Sequence, residues 1–214
     1  MNPRALPLAL ATASVVATAL GVASCAVQNT RIGIEAPPYS ETSFKPLGDF
    51  LVYRCGTLDC HGQPGRNLRI WGANGMRLDP EASANSDFGG PPTTNDEYVA
   101  TYRSLVGLEP QVMTTVWTGC QGQNGPDGGA DYPPPEVCHP ELLTFVQKAR
   151  GTEKHKGGQL ICLSPPCPPG IPDPAPYDLQ DVCIVSWLEG NVNATACRTA
   201  ARSHYGLPQD AGAE

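Results

Sequence analysis

Apolar residues recur at helical spacing in five stretches of the chain, which predicts a mainly α-helical fold. The best-marked stretch opens at a capping box formed by Thr94 and Glu97, and it stops before Gly107. The predicted helices are a short one at 50–53 that leads to Cys55, one from the capping box to Val106, one from Pro140 to Gly151, one that Asp178 caps and that runs to Gly190, and one from Asn193 to Ala200.

Signals for β-structure are confined to one place. Short runs at 68–71 and 76–78 flank a turn at 73–75, which predicts a small β-hairpin. The stretches 79–93 and 118–135 carry loop-forming residues and are expected to be irregular. Since Pro and Gly each occur 23 times in 214 residues, we expect long Pro/Gly loops and a small core.

The N-terminus has the pattern of a bacterial export signal. Arg4 precedes an apolar run at 5–24, and this run ends in Val-Ala-Ser before Cys25, which resembles the lipobox of bacterial lipoproteins. The alternatives are an ordinary signal-peptidase site followed by an incidental cysteine, or a permanent membrane helix. The expected organisation is a signal peptide at 1–24, a lipidated Cys25 with a flexible tether at 25–46, a folded domain at 47–206 and a disordered tail at 207–214.

The charge and the motifs narrow the class of function. A formal net charge of −7 disfavours a nucleic-acid partner, because such proteins use clustered Lys and Arg to displace counterions. Because Ala26 stands after the lipobox cysteine where an Asp would signal retention at the inner membrane, attachment to the outer membrane is favoured. The motifs of serine hydrolases, zinc proteases and nucleotide-binding loops are missing from the sequence. An electron carrier or a binding module is therefore favoured over a catalyst.

Eight of the nine cysteines remain once Cys25 is assigned to lipid. An even number of cysteines in an exported chain indicates disulfides. Local context favours three pairs: Cys162 with Cys167 across a short loop, Cys120 with Cys138 around a Gly/Pro segment, and Cys183 with Cys197 on neighbouring predicted helices. Cys55 and Cys60 are left over.

The leftover cysteines belong to a Cys-x₄-Cys-His pattern made of Cys55, Cys60 and His61. In a c-type haem site, two thiols form thioethers with the haem vinyl groups, and the histidine that follows ligates the iron. The usual spacing has two residues between the cysteines, and the longer spacing seen here occurs in some multihaem cytochromes. The alternatives are a fourth disulfide that leaves His61 as a surface residue, and a zinc site shared with Cys138-His139.

At this point the chain resembles the cytochrome c-like domains of secreted proteins that are abundant in planctomycetes and myxobacteria. The matching pieces are Cys60-His61-Gly62, Asn67-Leu68-Arg69-Ile70, His155-Lys156-Gly157-Gly158 and Trp187-Leu188-Glu189-Gly190. The resemblance implies a small cytochrome c-like helical domain that holds haem c through Cys55, Cys60 and His61. It further implies electron transfer with a redox protein partner at the cell envelope.

The second axial ligand of such a haem has three candidates. His155 ranks first because it lies in a matched segment and its neighbouring glycines permit close approach, Met113 ranks second, and Met76 is third. Each also has a simpler interpretation, as a solvated loop residue for His155 and as core residues for the two methionines. The alternative for the whole protein is a cofactor-free lipoprotein with four disulfides that acts as a binding or structural module.

Overall fold

The computed structural model describes residues 33–81, 91–121, 136–163, 167 and 178–202. From Ile34 onward these residues belong to one compact unit, Ile34–Glu214. The predicted leader, the lipidation site Cys25 and the tail at 207–214 lie outside the described residues.

The described residues form six α-helices, which confirms the predicted mainly α-helical class. The helices are α1 (Lys45–Arg54), α2 (Asn95–Val106), α3 (Pro110–Cys120), α4 (Thr144–Arg150), α5 (Leu179–Leu188) and α6 (Ala194–Arg202), with a 3₁₀ turn at Pro140–Leu142 before α4. Helix α6 packs against both α1 and α5. In place of the predicted hairpin, the described residues contain a single β-bridge between Trp71 and Met76.

Local signals set several helix ends as the sequence predicted. The Thr94 hydroxyl accepts from the Glu97 amide, and the Glu97 carboxylate accepts from the Thr94 amide, so the capping box of α2 is complete. The carboxylate of Asp178 caps α5 by accepting from the Gln180 amide. Gly151 ends α4 in the left-handed conformation with φ 73°.

Helix α3 was not predicted, and its last residues contradict the irregular structure expected from residue 118. Pro110 occupies its first turn, and Met113 and Val116 are buried at helical spacing. The run Thr114-Thr115-Val116 is β-branched and lowers intrinsic helix propensity, so burial of the apolar face decides the local structure.

Two predicted boundaries differ in the structure. Leu143 is extended and separates the 3₁₀ turn at Pro140 from α4, so the continuous helix begins at Thr144. The segment 34–44, predicted as part of a flexible tether, packs against the helices. The Glu35 amide donates to the Thr114 hydroxyl, and the Tyr102 hydroxyl donates to the Pro37 carbonyl. The folded part thus includes residues well before the predicted start at 47.

Three disulfides link the described cysteines in the pairs that local context favoured. They are Cys120–Cys138, Cys162–Cys167 and Cys183–Cys197. The last of these joins α5 to α6, and the first ties the end of α3 to the segment before the 3₁₀ turn. Cys55 and Cys60 do not pair, so the fourth disulfide of the cofactor-free alternative is not formed in this structure.

Candidate functional site

The structure brings His61 and His155 together, although they lie far apart in the sequence. Their ring centroids are 5.9 Å apart and the ring planes differ by 17°. Both residues are partly exposed, so the pair lies at the edge of the fold.

Each of the two rings is held by a hydrogen bond from its Nδ1 atom to a backbone carbonyl oxygen. The Nδ1 atom of His61 lies 3.0 Å from the Leu68 carbonyl oxygen, and the Nδ1 atom of His155 lies 3.1 Å from the Gly158 carbonyl oxygen. Since a carbonyl oxygen only accepts, each Nδ1 carries the proton, and a neutral ring then has its lone pair on Nε2. This pattern of a ring nitrogen bonded to a backbone carbonyl is typical of histidines that ligate a metal through the other nitrogen.

The surroundings favour the neutral form of His61. Burial lowers the pKa of its ring, and the positive charges of His155 and Arg66 lower it further, while the hydrogen bond to Leu68 acts in the opposite direction. The lowered pKa keeps the ring uncharged at neutral pH, so its Nε2 lone pair is available to a ligand.

Backbone hydrogen bonds fold the segment 55–62 into a tight loop that carries His61. The His61 amide donates to the Cys55 carbonyl at 2.9 Å, and the Cys60 and Gly62 amides both donate to the Thr57 carbonyl. The Arg66 guanidinium donates to the Cys60 carbonyl at 2.9 Å from outside the loop. The loop thereby fixes both cysteines and the histidine relative to the end of α1.

Three glycines let this loop pack closely on the turn that follows it. A Cβ atom on Gly62 or on Gly75 would overlap the carbonyl oxygen of Gly56. At Gly65, by contrast, an added Cβ would meet no atom within 4 Å. The contact among Gly56, Gly62 and Gly75 therefore needs residues without side chains.

Cys55 and Cys60 are both partly buried free thiols. Burial raises the pKa of Cys55 to about 12, Arg54 opposes this effect, and Cys60 adds to it. Cys55 is therefore a protonated thiol at neutral pH, which disfavours a thiolate ligand at this position. Because α1 ends at Arg54, the two cysteines lie on a non-helical turn rather than on consecutive turns of a helix.

His155 lies on a loop whose two ends are joined at the end of α4. The Ala149 carbonyl accepts from the amides of both Leu160 and Ile161, each at 2.9 Å. From α4, the Lys148 ammonium contacts the Glu153 carboxylate at 2.8 Å and donates to the Lys154 carbonyl, both in the loop. These bonds hold the segment that carries His155 in a defined conformation.

The remaining candidates are placed elsewhere. Met113 is 1% exposed within the hydrophobic core, and Met76 is half-buried at the bridge with Trp71. The alternative zinc site loses a ligand because Cys138 is in a disulfide, and the part of the chain that is described contains no cluster of three or more metal-binding side chains. A haem iron differs from zinc because the porphyrin supplies its equatorial ligands.

Sequence reasoning found the cysteines and both histidines but missed the parts that hold them. The Leu68 and Gly158 carbonyls leave no trace in side-chain identity, since every residue has a carbonyl. Gly56 and Gly62 are a signal in the sequence, because they directly follow Cys55 and His61 and glycines at such positions permit close backbone packing.

Comparison with known proteins adds no family to these observations: no protein-family model, curated protein or solved structure matches this chain. Among the helices that the structure describes, none is both long enough and apolar enough to span a membrane. The assignment of function accordingly depends on the geometry of the site.

Proposed function

We propose that this chain is a c-type, cytochrome-like electron carrier of the bacterial cell envelope. Cys55 and Cys60 would hold haem c as thioethers, and His61 and His155 would be its two axial ligands. The observation that carries the proposal is the proximity of the two histidines, whose ring centroids are 5.9 Å apart and whose Nδ1 atoms are each bonded to a backbone carbonyl, which leaves each Nε2 for a metal.

The free thiols support the same proposal. The six other cysteines of the described residues are paired, whereas Cys55 and Cys60, in the same loop as His61, are not linked in this structure. Each thiol would add across a vinyl double bond of haem, with its hydrogen passing to the vinyl carbon, so that attachment needs no oxidant. Such attachment requires both thiols and the histidine to lie close together, and backbone hydrogen bonds in the loop from Cys55 to His61 hold them in one short segment.

The residues favour electron transfer over bond-making chemistry. Bound haem supplies an iron that changes between the ferrous and ferric states. If His61 and His155 both bound the iron, they would leave no coordination position open for a substrate. Cys25, if lipidated as the sequence predicts, would anchor the carrier to the outer membrane.

The first experiment measures the intact mass and visible spectrum of the chain made with its own leader in a bacterium that has active cytochrome c maturation. We expect the added mass of one haem and sharp α and β bands on reduction. A colourless protein whose mass corresponds to four disulfides would reject the proposal and favour the cofactor-free module.

Three histidine variants then test the ligands. His155→Ala should keep the covalent haem, lose the six-coordinate low-spin spectrum and gain the ability to bind carbon monoxide. His61→Ala should abolish the Soret band or shift it strongly. His139 is exposed and bonds Glu141, so His139→Ala is the matched control and should leave the spectrum unchanged. A low-spin spectrum that persists in His155→Ala would contradict its role as a ligand.

A further inference from the structure

The turn at 72–75, which packs against the loop that carries His61, contains an asparagine followed by a glycine. Asn74 is exposed, and Gly75 has no side chain that could hinder its backbone nitrogen. In such a pair the backbone nitrogen of the glycine can attack the side-chain amide of the asparagine, which leads to deamidation. Only Asn74 and Asn124 precede a glycine in this sequence, and Asn124 lies outside the described residues.

The side chain of Asn74 differs from those of two other exposed asparagines that hydrogen bonds hold in place. Asn95 Oδ1 accepts from the Tyr39 hydroxyl at 2.6 Å. Asn193 Oδ1 accepts from the Ala196 amide at 2.9 Å. The hydrogen bonds between described residues include none to the side chain of Asn74. Its amide group is therefore free to rotate toward the next residue.

The backbone of Gly75, in contrast, is held in place. Its amide donates to the Gly72 carbonyl at 3.1 Å, and the Gly72 amide donates to the Met76 carbonyl at 2.9 Å. A Cβ atom on Gly75 would overlap the Gly56 carbonyl oxygen and would lie 2.9 Å from the Gly62 Cα atom, so the turn is in direct contact with the loop. Attack on the side chain turns the peptide unit between positions 74 and 75 and moves it out of this contact. The Gly75 nitrogen therefore reaches the side chain only after the turn opens.

We infer that Asn74 is a deamidation site and that the contact of the turn with Gly56 and Gly62 controls its rate. In the reaction, a bond forms between the Gly75 nitrogen and the Asn74 Cγ atom, and the bond from Cγ to Nδ2 breaks. The amide hydrogen of Gly75 leaves with Nδ2 as ammonia. Water then opens the cyclic imide at either carbonyl, so position 74 becomes an aspartyl or an isoaspartyl residue. The reaction needs water alone and changes no oxidation state.

The isoaspartyl product would weaken the support of the candidate haem loop. It adds one carbon atom to the main chain and a carboxylate beside it, so Gly75 can no longer keep both its hydrogen bond to Gly72 and its contact with Gly56. The modification is thus a one-way change from a packed loop to a loosened one. This inference goes beyond the proposed function, because it depends on the chain alone and applies with or without bound haem.

The first test follows deamidation of the full chain near neutral pH, both folded and in guanidinium chloride. Trypsin releases Asn74 in the peptide Ile70–Arg77, and mass spectrometry measures the fraction of this peptide in which an acid has replaced the amide. We expect the rate at Asn74 to be at least about fivefold lower in the folded chain, because the turn must open before the reaction. Equal rates in the two states would overturn control by the fold, and no reaction in denaturant would overturn the site itself.

Two glycine variants then test the contact. Gly62→Ala places a Cβ atom against the Gly56 carbonyl oxygen and should raise the rate at Asn74 in the folded chain by at least about fivefold. Gly65→Ala is the matched control, because its Cβ atom meets no atom within 4 Å, and it should leave the rate unchanged. Equal rates at Asn74 in the two variants would reject control by this contact. The comparison of folded and denatured wild type decides the matter even if Gly62→Ala fails to fold.

A third measurement links the modification to stability. Asn74→Gln should prevent the reaction, because the longer side chain closes a six-membered ring less readily. After the same incubation, the denaturation midpoint of the wild type should fall while that of Asn74→Gln stays constant. Asn124 is present in both chains, so the difference between them belongs to position 74. A constant wild-type midpoint despite accumulated isoaspartate would contradict the loosening of the loop.

Discussion

A single Cβ atom would prevent the Cys55–His61 loop from packing as closely as it does on the turn that follows it. Because a Cβ on Gly62 would overlap the Gly56 carbonyl oxygen, Gly62→Ala should lower the free energy of unfolding by about 1–3 kcal/mol. Chemical denaturation followed by circular dichroism measures the change. Gly65→Ala is the matched control, since its Cβ meets no atom within 4 Å, and it should change stability by less than about 0.5 kcal/mol. Equal stabilities of the two variants would show that the loop can move aside.

The buried ion pair between Arg77 and Glu97 gives a prediction with a defined pH dependence. The two atoms closest to each other are 2.7 Å apart, and the two side chains are 4% and 2% exposed. Glu97→Gln leaves Arg77 without its counter-charge and should cost about 3–5 kcal/mol near neutral pH. The exposed pair of Lys148 and Glu153 is the control, and Glu153→Gln should cost less than about 1 kcal/mol.

The sign of the pH effect follows from the pKa of Glu97. Burial raises this pKa, but hydrogen bonds from the Thr94 amide, Arg77 and the Leu78 amide outweigh burial and hold the pKa below its ordinary value of 4.5. The ionised carboxylate therefore stabilises the fold fully above pH 4.5 and progressively less as the pH falls through the lowered pKa. Unfolding curves of the wild type and Glu97→Gln should converge on acidification, and a difference that grows toward low pH would contradict the assignment.

At the scale of elements, helix ends were the most predictable part of the fold. The capping box of α2 and the Asp178 cap of α5 are local hydrogen-bond patterns, so the residues that form them identify them. Helix α3 was missed because its β-branched run has low intrinsic helix propensity, whereas its stability comes from burial against the rest of the fold. Local chemistry is visible in a sequence, whereas packing that overrides propensity is not.

In the candidate site, too, the local features could be predicted from the sequence and the long-range contacts could not. The candidate haem motif could be recognised in the sequence because a c-type haem site needs a histidine directly after the second cysteine, as in Cys60-His61. His155 was ranked as a partner of His61 from a resemblance and from its neighbouring glycines, since spacing alone does not bring two distant loops together. The loop closure at Ala149 that holds His155 is a backbone arrangement and could not be read from side-chain identity.

At the scale of the whole molecule, the segment before α1 is a structural part of the fold. Phe44 is fully buried, and its ring makes edge contacts with Tyr102 at 5.2 Å and with Trp187 at 5.8 Å between centroids. It therefore connects the N-terminal end of α1 to α2 and to α5. Aromatic contacts of this kind add to the free energy gained by burial.

Phe44→Ala in the full chain should accordingly lower the free energy of unfolding by about 3–5 kcal/mol, because it leaves a cavity among three helices. Ile34 lies in the same segment and is 48% exposed, so Ile34→Ala is the matched control and should cost less than about 1 kcal/mol. Thermal and denaturant unfolding of both variants measure the contrast. If Phe44→Ala were as mild as Ile34→Ala, the segment would act as the flexible tether that its sequence pattern predicts. A large cost would instead show that residues 34–44 support α1, the helix that ends at Arg54 just before the candidate haem loop, so that damage at this junction would weaken the support of that loop.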